Sequence, residues 1–158
     1  PMWDAQILKD KHILIVDDEP DILEALEEYL EDAILYKAGS YEEAVAWIEK
    51  EKLDLAILDI MGVRGYELLA LTVKKQVPTL MLTAHALTPE SFDVSMKTGA
   101  DAFLPKDSLS DIPFYAADSL RAAEESRKPQ KWFDKLEPFF KKKFGTAWLS
   151  EMRGLWVE

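Results

Sequence analysis

Four carboxylates fall within five residues where an apolar run ends: Asp17, Asp18, Glu19 and Asp21 follow directly on "HILIV" (12–16). Crowded like charges repel, and desolvating them costs more still. Such a cluster either splays into water or gathers around something positive. Three further positions supply matching chemistry. Asp59 closes the run "LDLAILD" (53–59), Thr83 lies near the end of "PTLMLTA" (78–84), and Lys106 follows "DAFLP" (101–105). Asp17, Asp18 and Asp59 in one pocket would bind a hard divalent cation through oxygen ligands, Mg2+ first among them. A carboxylate beside such a cation can attack a phosphoryl group and form an acyl phosphate. Lys106 would neutralise one phosphoryl oxygen, and Thr83 would donate a hydrogen bond to another. Singly, each residue has a plainer role as a helix cap, a turn aspartate or a surface lysine. Their joint placement is what points to a site.

That placement depends on the elements that carry them. Short apolar runs recur at 12–17, 33–38, 53–59, 78–84 and 101–105. The first and third are nearly continuous in apolar residues, as strands buried on both faces are. Helical spacing lies between them: Ile22, Leu23, Leu26, Tyr29 and Leu30; then Ala44, Val45, Trp47 and Ile48; then Tyr66, Leu68, Leu69 and Leu71; and a weaker set, Phe92, Val94 and Met96. Start and stop signals agree. Asp18 and Pro20 precede the first helix, Ser40 with Glu43 forms a capping box, Thr88-Pro89-Glu90 opens the fourth, and Gly99 closes it. Strands alternating with helices predict right-handed crossovers and an open, doubly wound parallel sheet. In such a sheet, ligands bind beyond the carboxyl ends of the strands. Asp17-Asp18, Asp59, Thr83 and Lys106 all stand at those ends.

Composition narrows the alternatives. The chain has 158 residues, 48% of them hydrophobic, enough for one ordinary domain and a small appendage. It has no cysteine, which excludes a thiol nucleophile and a cysteine-ligated metal. No run reaches the roughly 18 apolar residues needed to span a bilayer, and a cytoplasmic protein is expected. "VDDEPD" contains no glycine, so neither a dinucleotide fingerprint nor a P-loop follows the first strand. A dehalogenase-type phosphatase would carry a second Asp two residues after its nucleophile, whereas Asp59 is followed by Ile60 and Met61.

With these residues in view, the stretch from His12 to Ser126 resembles the receiver domain of two-component response regulators. The matching pieces are "ILIVDDEPD", "LAILDI", "TLMLTA" and "GADAFLPK", in family order and close to family spacing. The resemblance implies an α/β flavodoxin-like fold, a five-stranded parallel sheet of order 2-1-3-4-5. It implies that Asp59 is the phosphoacceptor, Asp18 a direct Mg2+ ligand, Asp17 a ligand through water, and the Met61 backbone carbonyl a fourth contributor. Thr83 looks like the switch hydroxyl, Phe103 like the switch aromatic, and Lys106 like the phosphate-binding lysine. Ala84 matches the small residue beside the phosphoryl group. Met61 and His85 stand where the family tunes phosphoryl lifetime. Two departures are visible: "DIMGVRGYEL" is two residues short and lacks the usual proline, and Asp107 rather than proline follows the lysine. The function implied is phosphorylation of Asp59 by a sensor histidine kinase or phosphotransfer protein, switching a protein-interaction surface. No enzyme activity is expected beyond self-phosphorylation from small donors and autodephosphorylation. The rival reading is a degenerate receiver that binds proteins without being phosphorylated.

The resemblance leaves residues 127–158 unexplained, so a receiver domain (1–126) and a helical C-terminal extension (127–158) are expected. The extension holds eight Lys/Arg and four Asp/Glu, a net charge of +4, against 11 and 26 in residues 1–126, a net of −15. Trp132, Leu136, Phe139, Phe140 and Phe144 fit one helical face, and Gly145 can end that helix. Pro138 predicts a kink or two shorter pieces. A body this acidic opposes direct DNA binding and membrane association. The extension is expected to pack on its own body or on a second copy in a homodimer, with a downstream protein as partner.

Overall fold

A computed structural model describes residues 5–84 and 88–154. After a 3-10 turn at Ala5–Leu8, strand and helix alternate: β1 (His12–Val16), α1 (Pro20–Tyr29), β2 (Ile34–Ala38), α2 (Tyr41–Lys50), β3 (Leu55–Asp59), α3 (Gly65–Lys74), β4 (Thr79–Thr83), α4 (Pro89–Thr98) and β5 (Ala102–Pro105). A 3-10 segment, Lys106–Asp111, leads into α5 (Ile112–Glu124), and α6 (Lys131–Phe144) and α7 (Thr146–Met152) follow. The sheet is parallel throughout, in the order β2-β1-β3-β4-β5. The doubly wound sheet expected from the strand pattern, in the flavodoxin-like order that the resemblance implies, is the one observed, with C-terminal helices added.

Burial explains why the strand pattern was so plain. β3 and β4 are buried at every position, and β1 at all but His12. β2, at one edge, is exposed at Ile34 and Lys37, half-buried at Leu35 and Tyr36, and buried only at Ala38. β5 is the other edge strand, yet all four of its residues are buried, because α6 lies against it. α1 packs with α5 on one side of the sheet, while α2, α3 and α4 pack in succession on the other.

The local signals mostly hold. The Ser40 side chain accepts from the Glu43 amide, and Thr88 caps α4 as expected, forming a reciprocal capping box with Ser91. Asp18 does not cap α1. Glu19 occupies that position, and its amide donates to Asp17 Oδ1 at 2.9 Å, so the acids preceding the helix orient one another. α4 ends at Gly99, as expected.

Of the kink or two shorter pieces expected at Pro138, the second is corrected: α6 runs as one helix through it. The missing proline amide would have donated to the Asp134 carbonyl, and both residues lie on the exposed side, where water can take that role. The opposite side buries Trp132, Phe133, Leu136 and Phe140, and this burial holds the helix together across the gap.

Candidate functional site

The sheet order reverses direction at β1, whose neighbours are β2 and β3, so a crevice opens beyond the carboxyl ends of β1 and β3. Asp17 directly follows β1, and Asp59 is the last residue of β3. The backbone fixes both: the Asp17 amide donates to the Ala38 carbonyl at 3.1 Å, and the Ile60 amide donates to the Leu82 carbonyl at 3.0 Å. Asp17 is fully buried and Asp59 is 4% exposed, while Asp18 faces solvent. One oxygen from each of the three carboxylates lies within 4.8 Å of the others.

Lys106 enters from the end of β5. Its Nζ stands 2.7 Å from Asp17 Oδ2 and 3.2 Å from Asp59 Oδ1, bridging the two buried acids. The ammonium offsets part of their repulsion, but three carboxylates against one lysine leave the crevice two charges negative. Desolvation and the neighbouring Asp17 push the Asp59 carboxyl up to about 6, against the pull of Lys106. Burial works to lower the Lys106 pKa, yet its hydrogen bond to Asp17 and the charges of both acids outweigh that and leave it raised. Lys106 alone does not offset the burial and the neighbouring acids, and the oxygen-only donor set fits a hard divalent cation.

The rest of the crevice is small and shaped by an unusual turn. Its volume is about 290 Å3, and Met61, Gly62, Thr83 and Ala84 line it beside the acids and Lys106. Thr83, at the end of β4, is 4% exposed; the Met61 side chain is open to solvent. The short loop after Asp59 closes through two left-handed residues, Gly62 (φ +85°) and Arg64 (φ +56°). A Cβ on Gly62 would stand 2.5 Å from Asp18 Oδ2, so glycine there lets the backbone approach the carboxylate. Gly65 is equally constrained, since its Cβ would fall 2.2 Å from the Asp59 carbonyl oxygen. Arg64 tolerates its conformation because its guanidinium lies over the Tyr41 ring at 3.9 Å and pairs with Glu67.

Thus Asp17, Asp18, Asp59, Thr83, Lys106 and Met61 come together. Phe103 does not line the crevice. It is fully buried within β5, paired with Met81, and its ring meets Phe92 edge-on at 5.3 Å. His85 lies outside the described residues. The sequence reading passed over Gly62, Arg64 and Gly65, although two glycines within six residues of a strand-end Asp were a visible sign of close backbone approach. It also passed over Asp118, which is considered below with α6.

Comparisons with known proteins place this arrangement among relatives. The profile of the response regulator receiver domain matches residues 13–112. Among curated proteins, response regulator GtcR of Aneurinibacillus migulanus is 36% identical over 101 residues, covering 61% of this chain and 41% of its own. Regulatory protein VanRc of Enterococcus gallinarum is also 36% identical over 101 residues, covering 60% of this chain and 42% of its own. The chain therefore spans about two-fifths of the length of these relatives. Among solved structures, a CheY-like response regulator receiver domain protein from Methanospirillum hungatei JF-1 superposes with a TM-score of 0.68 at 30% identity. That match covers 75% of this chain and 99% of the other.

Proposed function

The chain belongs to the response regulator receiver family, and from that premise we propose that it is a phosphoacceptor switched through Asp59. The observation that carries the reading is the pairing of Asp17 and Asp59, both buried at neighbouring strand ends, across the single ammonium of Lys106. In the proposed reaction, an Asp59 carboxylate oxygen attacks the phosphorus of a phosphohistidine on a sensor kinase or phosphotransfer protein. The O–P bond forms, the P–N bond breaks, and the imidazole leaves. Lys106 transfers its attention from the Asp59 charge to a phosphoryl oxygen, and Thr83 donates its hydroxyl to another.

Asp17, Asp18, Asp59 and the Met61 carbonyl would hold Mg2+, which when bound would neutralise charge on the phosphoryl oxygens. The domain acts as a signalling acceptor and not as a turnover catalyst. We assign residues 1–126 to the receiver and 127–158 to the extension, and place the protein in the cytoplasm with its kinase. Its downstream partner is a protein, or a second copy, rather than DNA. The charge balance of −15 in the first 126 residues supports this.

Labelling by acetyl phosphate with and without Mg2+ tests the reading. Intact-mass measurement should show one added phosphoryl group on the wild type and none on Asp59→Asn. Equal labelling of the two proteins would remove Asp59 from its role, and no labelling of either would leave a protein-binding module in its place. The lifetime of the acyl phosphate is a second readout. An apolar Met61 neither orients nor activates water, so hydrolysis should be slow, and Met61→Asn should speed it. If neither Met61→Asn nor His85→Ala changes the decay, those positions do not govern it.

A further inference from the structure

One joint of the fold touches the crevice twice. Between β2 and α2, the Ala38 carbonyl accepts from the Asp17 amide at 3.1 Å. Three residues on, Tyr41 opens α2. Its half-buried ring packs on the core and carries the Arg64 guanidinium at 3.9 Å from its centroid. The joint is stiff. The Ser40 hydroxyl accepts from the Glu43 amide at 3.2 Å, and the Glu43 carboxylate accepts from the Gly39 amide at 3.1 Å. β2 and β3 flank β1, so the ring contact ties together the segments on either side of the strand that delivers Asp17 and Asp18.

The loop that Arg64 ends has few other restraints. The Gly65 amide closes its base by donating to the Ile60 carbonyl at 3.2 Å, and Val63 is buried. Met61 and Gly62 form the exposed apex, with Gly62 against the Asp18 carboxylate. Arg64 is the weak point, because a Cβ makes its φ of +56° unfavourable. A turn about that bond toward the right-handed region, with α3 fixed, would swing residues 60–63 and carry Met61 and Gly62 away from Asp18. Two contacts oppose this. The pair with Glu67 joins side chains that are each more than half exposed, and such pairs contribute little. The guanidinium over the ring lies well inside the roughly 6 Å reach of a cation–π contact, and is the stronger restraint.

We infer that Tyr41 is a positioning residue for the cation site: by holding Arg64 left-handed, its ring keeps the Met61 carbonyl and Gly62 beside the carboxylates of Asp17, Asp18 and Asp59. This rests on the crevice binding Mg2+ as proposed. Tyr41 does not line the crevice. It sets the fraction of molecules whose loop is ready to bind, and apparent affinity falls in proportion to that fraction.

Calorimetric titration of the full chain with Mg2+, at fixed ionic strength and without a phosphodonor, tests this. Tyr41→Leu keeps an apolar body but no ring face, and should raise the Mg2+ dissociation constant about 2-fold to 5-fold, the size of an exposed cation–π contact. Tyr41→Phe keeps the face and should bind as the wild type does. Arg64 is exposed, so Arg64→Gln tests the same contact without changing a buried group, and should weaken binding by a similar factor. Asn adopts the left-handed backbone more readily than Arg, so adding Arg64→Asn to Tyr41→Leu should recover the affinity. An unchanged constant in Tyr41→Leu and Arg64→Gln, equal losses in Tyr41→Leu and Tyr41→Phe, or no recovery with Arg64→Asn overturns the inference. Mg2+-dependent labelling of Asp59 in the wild type then leaves the phosphoacceptor reading intact. A wild type that neither binds Mg2+ nor is labelled by acetyl phosphate overturns both.

Discussion

At the residue scale, the crevice stores a cost that pH can expose. Burial and Asp17 raise the folded pKa of Asp59 from 3.8 to about 6. Within that window the folded protein binds more protons than the unfolded chain, so stability falls as pH rises through it. Without Mg2+, Asp59→Asn should stabilise the protein at pH 7 on the order of 1–3 kcal/mol and flatten the slope between pH 4 and about 6. Urea unfolding at a series of pH values measures both effects. A destabilised Asp59→Asn would show that Lys106 needs the charge more than the carboxyl resents it. Mg2+ should stabilise the wild type and leave Asp59→Asn nearly unaffected. Gly62→Ala should act differently, because its Cβ collides with Asp18 and its φ of +85° suits glycine. The expected outcome is loss of Mg2+-dependent labelling with Asp59 itself intact.

At the element scale, the strands were legible and the joints were not. The runs ending in Asp17 and Asp59 announced themselves because β1 and β3 are central strands with almost no polar residues. The side chains of the crevice followed, since parallel strands present their carboxyl ends to one rim. The turn through Gly62 and Arg64 could not be read in this way. Its path depends on a carboxylate and a ring, Asp18 and Tyr41, supplied by other segments. α6 was readable as a helix, but its seat depends on Phe92, whose ring meets Trp132, Phe133 and Phe140 and which looked like a weak member of a weak helix. Its start also depends on Asp118 of α5. That carboxylate is buried and faces the first amides of α6, at Lys131 and Trp132; among the described residues neither of its oxygens has a hydrogen bond of good geometry. Burial raises its pKa, against the charges of Lys131 and Arg127. Asp118→Ala should therefore cost about 1 kcal/mol, the usual worth of an N-cap. Asp118→Asn keeps an acceptor without a buried charge, and should cost less. Denaturation midpoints of the two variants decide the point, and equal losses would mean that the charge is what α6 requires.

At the scale of the whole molecule, the extension is continuous with the core. Trp132, Phe133 and Phe140 are among its largest fully buried side chains, although the family profile ends at residue 112. Truncation after Ser126 should lower stability on the order of several kcal/mol and increase binding of an apolar dye, and an unchanged urea midpoint would contradict this. Among the described residues no helix is long and apolar enough to cross a membrane, and the aromatic residues of α6 are turned inward instead. The cover that α6 gives β5 has one more consequence. A sheet with two bare edges can template the addition of foreign strands at either side, which is how β-aggregates begin. Among the described residues β2 is the edge left open, five residues long, with Lys37 more than half exposed along it. A short strand carrying an outward lysine resists such pairing, so the edge that α6 does not close is itself guarded against fibril growth.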